Sequence, residues 1–222
     1  AEVRVIGRSQ DAAQVEATRL AAEEGLVDIP PFDHPHVVAG QGTIGLEMLE
    51  ARPDLGTLLV PLSGGGLAGG IAAAAKAINP AIRVIGLSMD RGAAMAESLK
   101  AGRPVDVTEV ASLADSLGGG IGLDNRLTFG LCRDLLDDVV LVTEAEIYRG
   151  MQALYYEDRI VCEGGCAVGA AALLAGKLPG LRGPVASVIT GRNLDMATHA
   201  AIMRGEAVTL GDMVLEGAPY AA

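Results

Sequence analysis

The chain has 222 residues and a formal net charge of −11 at pH 7, from 28 acidic and 17 basic side chains. This excess of negative charge argues against a nucleic acid or an anionic membrane surface as partner. Half of the residues are hydrophobic but only 3% are aromatic, so we expect a core of aliphatic side chains. The three cysteines are an odd number, which favours a reducing cytoplasmic setting over a disulfide framework.

Predicted strands and helices alternate along the chain. We predict strands at 3–6, 57–63, 82–88, 139–143 and 184–190. We predict helices at 10–25, 40–51, 66–78, 93–101, 126–136, from the cap Thr143 onward, and at 162–176, with an extended, proline-rich connector at 26–36. This order predicts an α/β fold, with a parallel sheet covered by helices on both faces. No apolar run reaches the roughly 18 residues that a membrane span needs.

Ligands of such sheets bind beyond the carboxyl ends of the strands. The loops after Ser63, Ser88 and Thr190 are therefore the first candidates for a binding site. The first of these lies in the segment LLVPLSGGGLAGGIAAAAKA (58–77), where an apolar strand leads through three glycines into a helix. Glycine lets backbone N–H groups turn toward an anion, and the helix adds the positive end of its dipole. The segment therefore predicts a phosphate-binding loop.

The spacing within this loop can be compared with two known phosphate-binding patterns. A P-loop is excluded, because the one Gly-Lys pair, at 176–177, lacks the required glycine and hydroxyl spacing. Gly64, Gly66 and Gly69 do satisfy the dinucleotide pattern G-x-G-x-x-G, and Asp90 follows about 20 residues later, where a ribose-binding acid belongs. An NAD-type dinucleotide module thus remains an alternative.

A set of longer motifs points to a different kind of ligand for this phosphate-binding loop. These motifs are VPLSGGGLAGGIAAAAKAINPAIRVIG, PFDHPHVVAGQGTIGLEMLE (31–50), VTEAEIYRGMQAL (142–154), CEGGCAVGAAALL (162–174) and VITGRNLD (188–195). Their order and spacing, from about residue 2 to residue 200, resemble the fold type II pyridoxal-phosphate enzymes of the threonine dehydratase and serine racemase family. Within that family, SMDRGAAM and TGRN are most similar to the hydroxyectoine-utilisation dehydratases.

The resemblance implies a tryptophan synthase beta-like fold, pyridoxal phosphate as cofactor and a role for several residues. Its phosphate-binding loop matches Ser63, Gly64, Gly65, Gly66 and Leu67. Thr190 matches the residue that hydrogen-bonds the pyridine nitrogen, and Glu163 matches an acid in the pocket wall. Gly118 and Gly119 match a second glycine loop, where Ser116 replaces a usual glycine. Alternatively, Glu163 interacts with the helix dipole at the start of a helix. Thr190 has the alternative interpretation of a strand-end residue that is hydrogen-bonded to the backbone.

A metal site of the family is not expected in this chain. The matching positions are Ser88, Gly92 and Ala94, which supply no carboxylate ligand. His34 and His36 lie two residues apart in a proline-rich turn, which indicates a structural role. Cys162 and Cys166 have no second ligand pair and are interpreted as buried thiols.

The family's Schiff-base lysine, from a Ser-x-Lys motif, has no match here. The chain has Lys76, Lys100 and Lys177, all interpreted as solvated surface residues. We therefore expect the C-terminal part of a longer enzyme, with residues 1–30 from a small domain and 31–222 from the large cofactor-binding domain. The missing N-terminal segment would be its partner, and the resemblance implies a homodimer. The intact enzyme would convert a β-hydroxy amino acid into a 2-oxo acid and ammonia by β-elimination, whereas this chain alone would be an inactive cofactor-binding module.

Overall fold

A four-stranded parallel sheet forms the centre of the computed structural model, which describes residues 2–7 and 9–221. The strands lie side by side in the order β3-β2-β1-β4. Their bounds are β1 Thr57–Pro61, β2 Arg83–Met89, β3 Asp138–Val142 and β4 Val185–Ser187. In register, Leu59 of β1 lies opposite Ile85 on one side and Ser187 on the other. A short antiparallel hairpin, β5 Val208–Leu210 with β6 Met213–Leu215, follows later in the chain.

Helices cover this sheet. They are α1 Gln10–Glu24, α2 Pro35–Ala51, α3 Gly66–Ile78, α4 Ala94–Ala101, α5 Leu127–Leu135, α6 Glu144–Tyr156, α7 Gly164–Leu174 and α8 Met196–Met203. Across residues 2–7 and 9–221, no helix is both long enough and apolar enough to cross a bilayer. The predicted α/β class, with helices on both faces of a parallel sheet, is confirmed.

The two faces of the sheet bury two separate hydrophobic clusters. Successive side chains of a strand point to opposite faces. Leu58 and Val60 of β1 accordingly pack with residues of α3, including Ile71. Leu59, between them, packs on the other face with residues of α6 and α7, including Ile147 and Val168. All five residues of β1 are buried, as expected for a strand of a parallel sheet that is covered on both faces.

Capping side chains fix two of the helix starts. The Nδ1 atom of His34 accepts a hydrogen bond from the His36 N–H at 3.2 Å, and Pro35 occupies the first helical position. Helix α2 therefore begins five residues before the predicted residue 40, because proline suits that position without losing a hydrogen bond. The predicted capping box of α6 is confirmed, since Thr143 and Glu146 exchange side-chain and backbone hydrogen bonds of 3.2 and 2.7 Å.

Three differences from the sequence prediction concern the edges of the fold. The strand predicted at 3–6 is wrong: the segment is exposed and irregular, because no described strand lies beside it to pair with its backbone. Strand β4 has three residues instead of seven, since it pairs only with Thr57–Leu59. Helix α8 and the β5–β6 hairpin were not predicted.

The predicted domain ranges 1–30 and 31–222 include residues 1, 8 and 222, which lie outside the described residues.

Helices α6 and α7 approach so closely that Gly150 has no room for a side chain. A Cβ there would lie 2.8 Å from the Ala167 carbonyl oxygen and 2.9 Å from the Ala171 nitrogen, both backbone atoms. We expect G150A to lower the free energy of unfolding by about 2 kcal/mol, as overpacking does. The matched control is G130A in α5, where no atom lies within 4 Å of the new Cβ. It should raise stability by up to about 1 kcal/mol. Equal effects in urea unfolding would contradict this account.

Candidate functional site

A cavity of about 550 Å³ opens at the carboxyl ends of β1 and β4. Its walls include the loop after β1, the loop after β4, helix α2, the start of α7 and the 3₁₀ turn Asp115–Leu117. Of the sequence-predicted site residues, those lining the cavity are Ser63, Gly64, Gly65, Gly66, Leu67, Gly118, Glu163 and Thr190. The loop after Ser88 is not part of the wall, because β2 lies on the opposite side of β1 from β4. Residues distant in sequence thus meet in one place.

The glycine loop presents free backbone donors to this cavity. Gly65 has φ +88°, a left-handed conformation that favours glycine, and α3 begins at the next residue. The first hydrogen bond of the helix runs from the Gly69 N–H to the Gly65 oxygen at 2.8 Å. Among the described residues, no group accepts from the N–H groups of 64–68. Free donors of this kind, beside the positive end of a helix, are suited to binding an anion such as a phosphate group.

Close packing behind the loop explains why it contains glycines. A Cβ on Gly64 would overlap the Phe32 ring, and a Cβ on Gly65 would lie 2.8 Å from Met95 Cε and 2.9 Å from Cys132 Sγ. Thr128 fixes the loop by donating its hydroxyl hydrogen to the Gly64 oxygen at 2.7 Å. Burial raises the pKa of Cys132 to about 12, so this thiol stays neutral and packs as an apolar group.

Glu163 is a buried acid held by two protein donors. The residue as a whole is 8% exposed. Oε1 accepts from the Ser116 hydroxyl at 3.0 Å, and Oε2 accepts from the Asn193 N–H at 2.8 Å. Although Glu163 is the N-cap residue of α7, its side chain makes no capping hydrogen bond. The geometry therefore favours a carboxylate in a polar network of the cavity wall over a local dipole partner.

Thr190 lies exposed at the rim of the cavity. Its hydroxyl has no hydrogen-bond partner among the described residues, so the alternative of a backbone-bonded threonine is not supported. The next residue, Gly191, accepts a hydrogen bond from the Cys166 thiol at 3.1 Å. Cys162 and Cys166 are buried and free, as predicted, and the neighbouring Cys166 thiol, together with burial, raises the pKa of the Cys162 thiol.

Two glycines of the second glycine loop differ in position. Gly118 lines the cavity, whereas Gly119 does not. Gly119 is buried, has φ +90° and lies beneath the side chain of Gln10 from α1. Gln10 itself lines the cavity, as does Phe32 from the connector, and neither was predicted. Phe32 lies in the matched motif 31–50, but the motif assigns no role to this residue, and nothing in the sequence around Gln10 indicates a site.

The three lysines all lie away from the cavity wall. Lys76 donates to Asp137 at 2.8 Å and to the Ile82 oxygen at 3.0 Å, and its side chain is 18% exposed. Lys177 donates to Glu146 at 2.7 Å and to the Leu141 oxygen at 3.0 Å. The interpretation of all three as solvated is therefore wrong for these two, whereas Lys100 is exposed in the last turn of α4. Within the described ranges, none of them lines the 550 Å³ cavity.

Ser88, one of the positions that match the family's metal site, and His34 both have local hydrogen-bond partners. The Ser88 hydroxyl is buried and donates to the Met89 sulfur at 3.5 Å. His34 caps α2, which is the structural role expected for it. In the part of the chain that the structure describes, no three His, Cys, Asp or Glu side chains cluster as a metal site would require. Asp90, the acid of the dinucleotide alternative, is exposed and does not line the cavity.

Comparison with known proteins identifies the family. The family model described as "Pyridoxal-phosphate dependent enzyme" matches residues 1–191, so the chain belongs to this family. It is 58% identical over 205 residues to a Sinorhizobium fredii protein provisionally named a threonine dehydratase, covering 92% of the chain and 62% of that protein. It is 41% identical over 204 residues to the catabolic L-threonine dehydratase TdcB of Escherichia coli, covering 91% of the chain and 61% of TdcB.

Solved structures agree with this membership. Maize serine racemase superposes with a TM-score of 0.81 at 32% identity, covering 89% of this chain and 61% of that one. The processed threonine deaminase isoform 2 of Solanum lycopersicum gives 0.80 at 32% identity, covering 91% and 59%. The chain thus spans about three fifths of the length of these relatives. The fold type II assignment is confirmed, pyridoxal phosphate is the cofactor of the family, and the dinucleotide alternative is not favoured.

The residues present fit this cofactor. A run of unpaired N–H groups suits its phosphate, and the cavity volume lies within the usual range of roughly 300–1,000 Å³ for small-molecule sites. Thr190 places a neutral hydroxyl in the same cavity, beyond the neighbouring strand.

The conformation of the glycine loop can be tested with two glycines that both have positive φ. Gly65 has φ +88° and Gly102 has φ +71°, but no atom lies within 4 Å of a Cβ on Gly102. We expect G102A to cost about 1–2 kcal/mol through backbone strain alone. G65A should cost more, because it also crowds Met95 and Cys132, and should weaken pyridoxal phosphate binding roughly tenfold by misplacing a donor. Urea unfolding and calorimetric titration measure both effects, and cofactor affinity that is unchanged in G65A would contradict the assignment.

Proposed function

We propose that this chain forms the phosphate-binding and ring-binding part of a pyridoxal-phosphate-dependent ammonia-lyase that acts on β-hydroxy amino acids. The observation that supports the proposal is the run of free N–H groups at 64–68 in the same cavity as Thr190 and Glu163. The names of the relatives, among them L-threonine dehydratase and L-threonine ammonia-lyase, support the reaction class.

Each cavity residue has a role in this proposal. The N–H groups after Ser63, with the N-terminus of α3, bind the phosphate and fix the position of the cofactor. Thr190 accepts or donates a single hydrogen bond at the pyridine nitrogen, and Glu163 closes the wall beside the ring. Gly118 lines the same cavity, whereas Gly119 shapes the loop from behind.

Pyridoxal phosphate would act as an electron sink that allows the α-proton and then the β-hydroxyl group of the amino acid to leave, with a 2-oxo acid and ammonia as final products. Thr190 is neutral and cannot compensate a full positive charge on the ring nitrogen as a carboxylate would. This suits elimination better than the accumulation of a carbanion.

The group that binds the cofactor aldehyde is proposed to lie outside these 222 residues. Lys76 and Lys177 are engaged in ion pairs, and Lys100 is exposed on α4. The substrate-carboxylate site would lie outside as well. In this view residues 1–30 belong to a small domain and 31–222 to the large domain of a homodimeric enzyme, and the isolated chain would bind the cofactor without catalysing the reaction.

The substrate proposal rests on sequence motifs. Threonine, serine, 3-hydroxyaspartate and ectoine-derived hydroxy acids all fit the reaction class. The segments SMDRGAAM and TGRN favour the hydroxyectoine-utilisation branch. The protein as its gene encodes it should release ammonia from one of these compounds, and S63A should weaken the apparent affinity for pyridoxal phosphate. An intact protein that binds the cofactor but releases no ammonia from any of them would favour the non-catalytic alternative.

The isolated chain offers a direct test of where the lysine lies. Titration with pyridoxal phosphate should show saturable binding by fluorescence, because the phosphate site is present. After borohydride reduction, peptide mass spectrometry should find no stoichiometric label on Lys76, Lys100 or Lys177, since none of them lines the cavity. K100M is the matched control for adventitious surface labelling. A one-to-one label on any of the three would refute the proposed location, and absence of saturable binding would refute the cofactor site.

A further inference from the structure

Glu163 forms a partition between two cavities. A second cavity of about 450 Å³ adjoins the first and extends toward α8. Glu163 lines both cavities, whereas Ser116 lines only the first and Asn193 only the second. The side chain of Glu163 therefore determines how completely the candidate cofactor cavity is closed on this side.

The carboxylate of Glu163 is bound from both sides of this partition. The Ser116 hydroxyl donates to Oε1 at 3.0 Å from the first cavity, and the Asn193 N–H donates to Oε2 at 2.8 Å from the second. No lysine or arginine among residues 2–7 and 9–221 forms an ion pair with it. Glu163 as a whole is 8% exposed, and these two donors supply hydrogen bonds that its carboxylate would otherwise form with water.

Two glycines leave room for this arrangement. A Cβ on Gly165 would overlap the Ser116 hydroxyl oxygen, and a Cβ on Gly191 would lie 3.0 Å from Glu163 Oε1. A Cβ on Gly165 would thus force the Ser116 hydroxyl to move, and a Cβ on Gly191 would crowd the Glu163 carboxylate and require a small shift.

We propose that Ser116 is a positioning residue that fixes the Glu163 carboxylate in the wall of the cofactor cavity. The hydroxyl acts through Glu163, and its loss leaves Oε1 without a donor, so that the side chain rotates toward water in one of the two cavities. The expected effect of Ser116 on cofactor binding rests on the proposed function. The hydrogen bonds that place the Glu163 carboxylate do not depend on that function.

A double-mutant cycle tests whether Ser116 acts through Glu163. S116A should weaken pyridoxal phosphate binding about five- to tenfold, as expected for the loss of a hydrogen bond to a charged group. S116T keeps a hydroxyl and should stay within about twofold of the wild type. In an E163A background, S116A should have no further effect on affinity. The same weakening in both backgrounds, or wild-type affinity in S116A, would overturn the proposal.

A cofactor-free measurement separates failure of this inference from failure of the proposed function. The Asn193 N–H donates to Glu163 Oε2, so its hydrogen exchange, followed by NMR, should report where the carboxylate lies. Exchange should be about tenfold faster in S116A than in the wild type and S116T, at a pH where all three are folded. Unchanged protection in S116A would overturn the positioning role, even if the chain binds pyridoxal phosphate. Faster exchange without any cofactor binding by the wild type would support the positioning role and refute the proposed function instead.

Discussion

The backbone between β1 and α3 must turn sharply while leaving its N–H groups unpaired. Gly65 makes this possible through its left-handed conformation, and the start of α3 then leaves its first N–H groups without acceptors among the described residues. Buried or half-buried donors without partners are unfavourable, and an anionic ligand relieves that cost. The loop is kept in this conformation by Thr128, Phe32 and the buried side chains behind it. The position of the whole candidate site follows from this turn.

Sequence reasoning predicted the elements with strong local signals. Helix α3 has the predicted bounds, and the capping box at Thr143 is where the Thr-x-x-Glu pattern placed it. The four strands of the sheet were identified because each is an apolar run flanked by turn residues. The strand at 3–6 has the same local pattern but no described neighbour, and pairing depends on neighbours rather than on composition.

The sequence predicted the part of the candidate site that depends on backbone conformation. It predicted less of the part that depends on contacts between side chains distant in sequence. Gly64, Gly65 and Gly66 can be recognised from the sequence alone, because they are three consecutive glycines. The contact between Ser116 and Glu163 joins residues 47 positions apart, and no local pattern encodes it. The same applies to Lys76 and Lys177, whose partial burial depends on Asp137 and Glu146, distant in sequence. Gln10 reaches the cavity only because α1 crosses the second glycine loop.

Helix α1 is packed less tightly than the glycine loop, because none of its residues is fully buried. The glycine loop, by contrast, lies over a core cluster that includes Ile71, Met95 and Cys132. Segments with few buried apolar contacts open at a fraction of the free energy of global unfolding. The walls of the cavity therefore differ in how much buried apolar contact supports them: the glycine loop is backed by this core, whereas the side formed by Gln10 is not. By this principle the side at Gln10 needs less free energy to open locally than the glycine loop does.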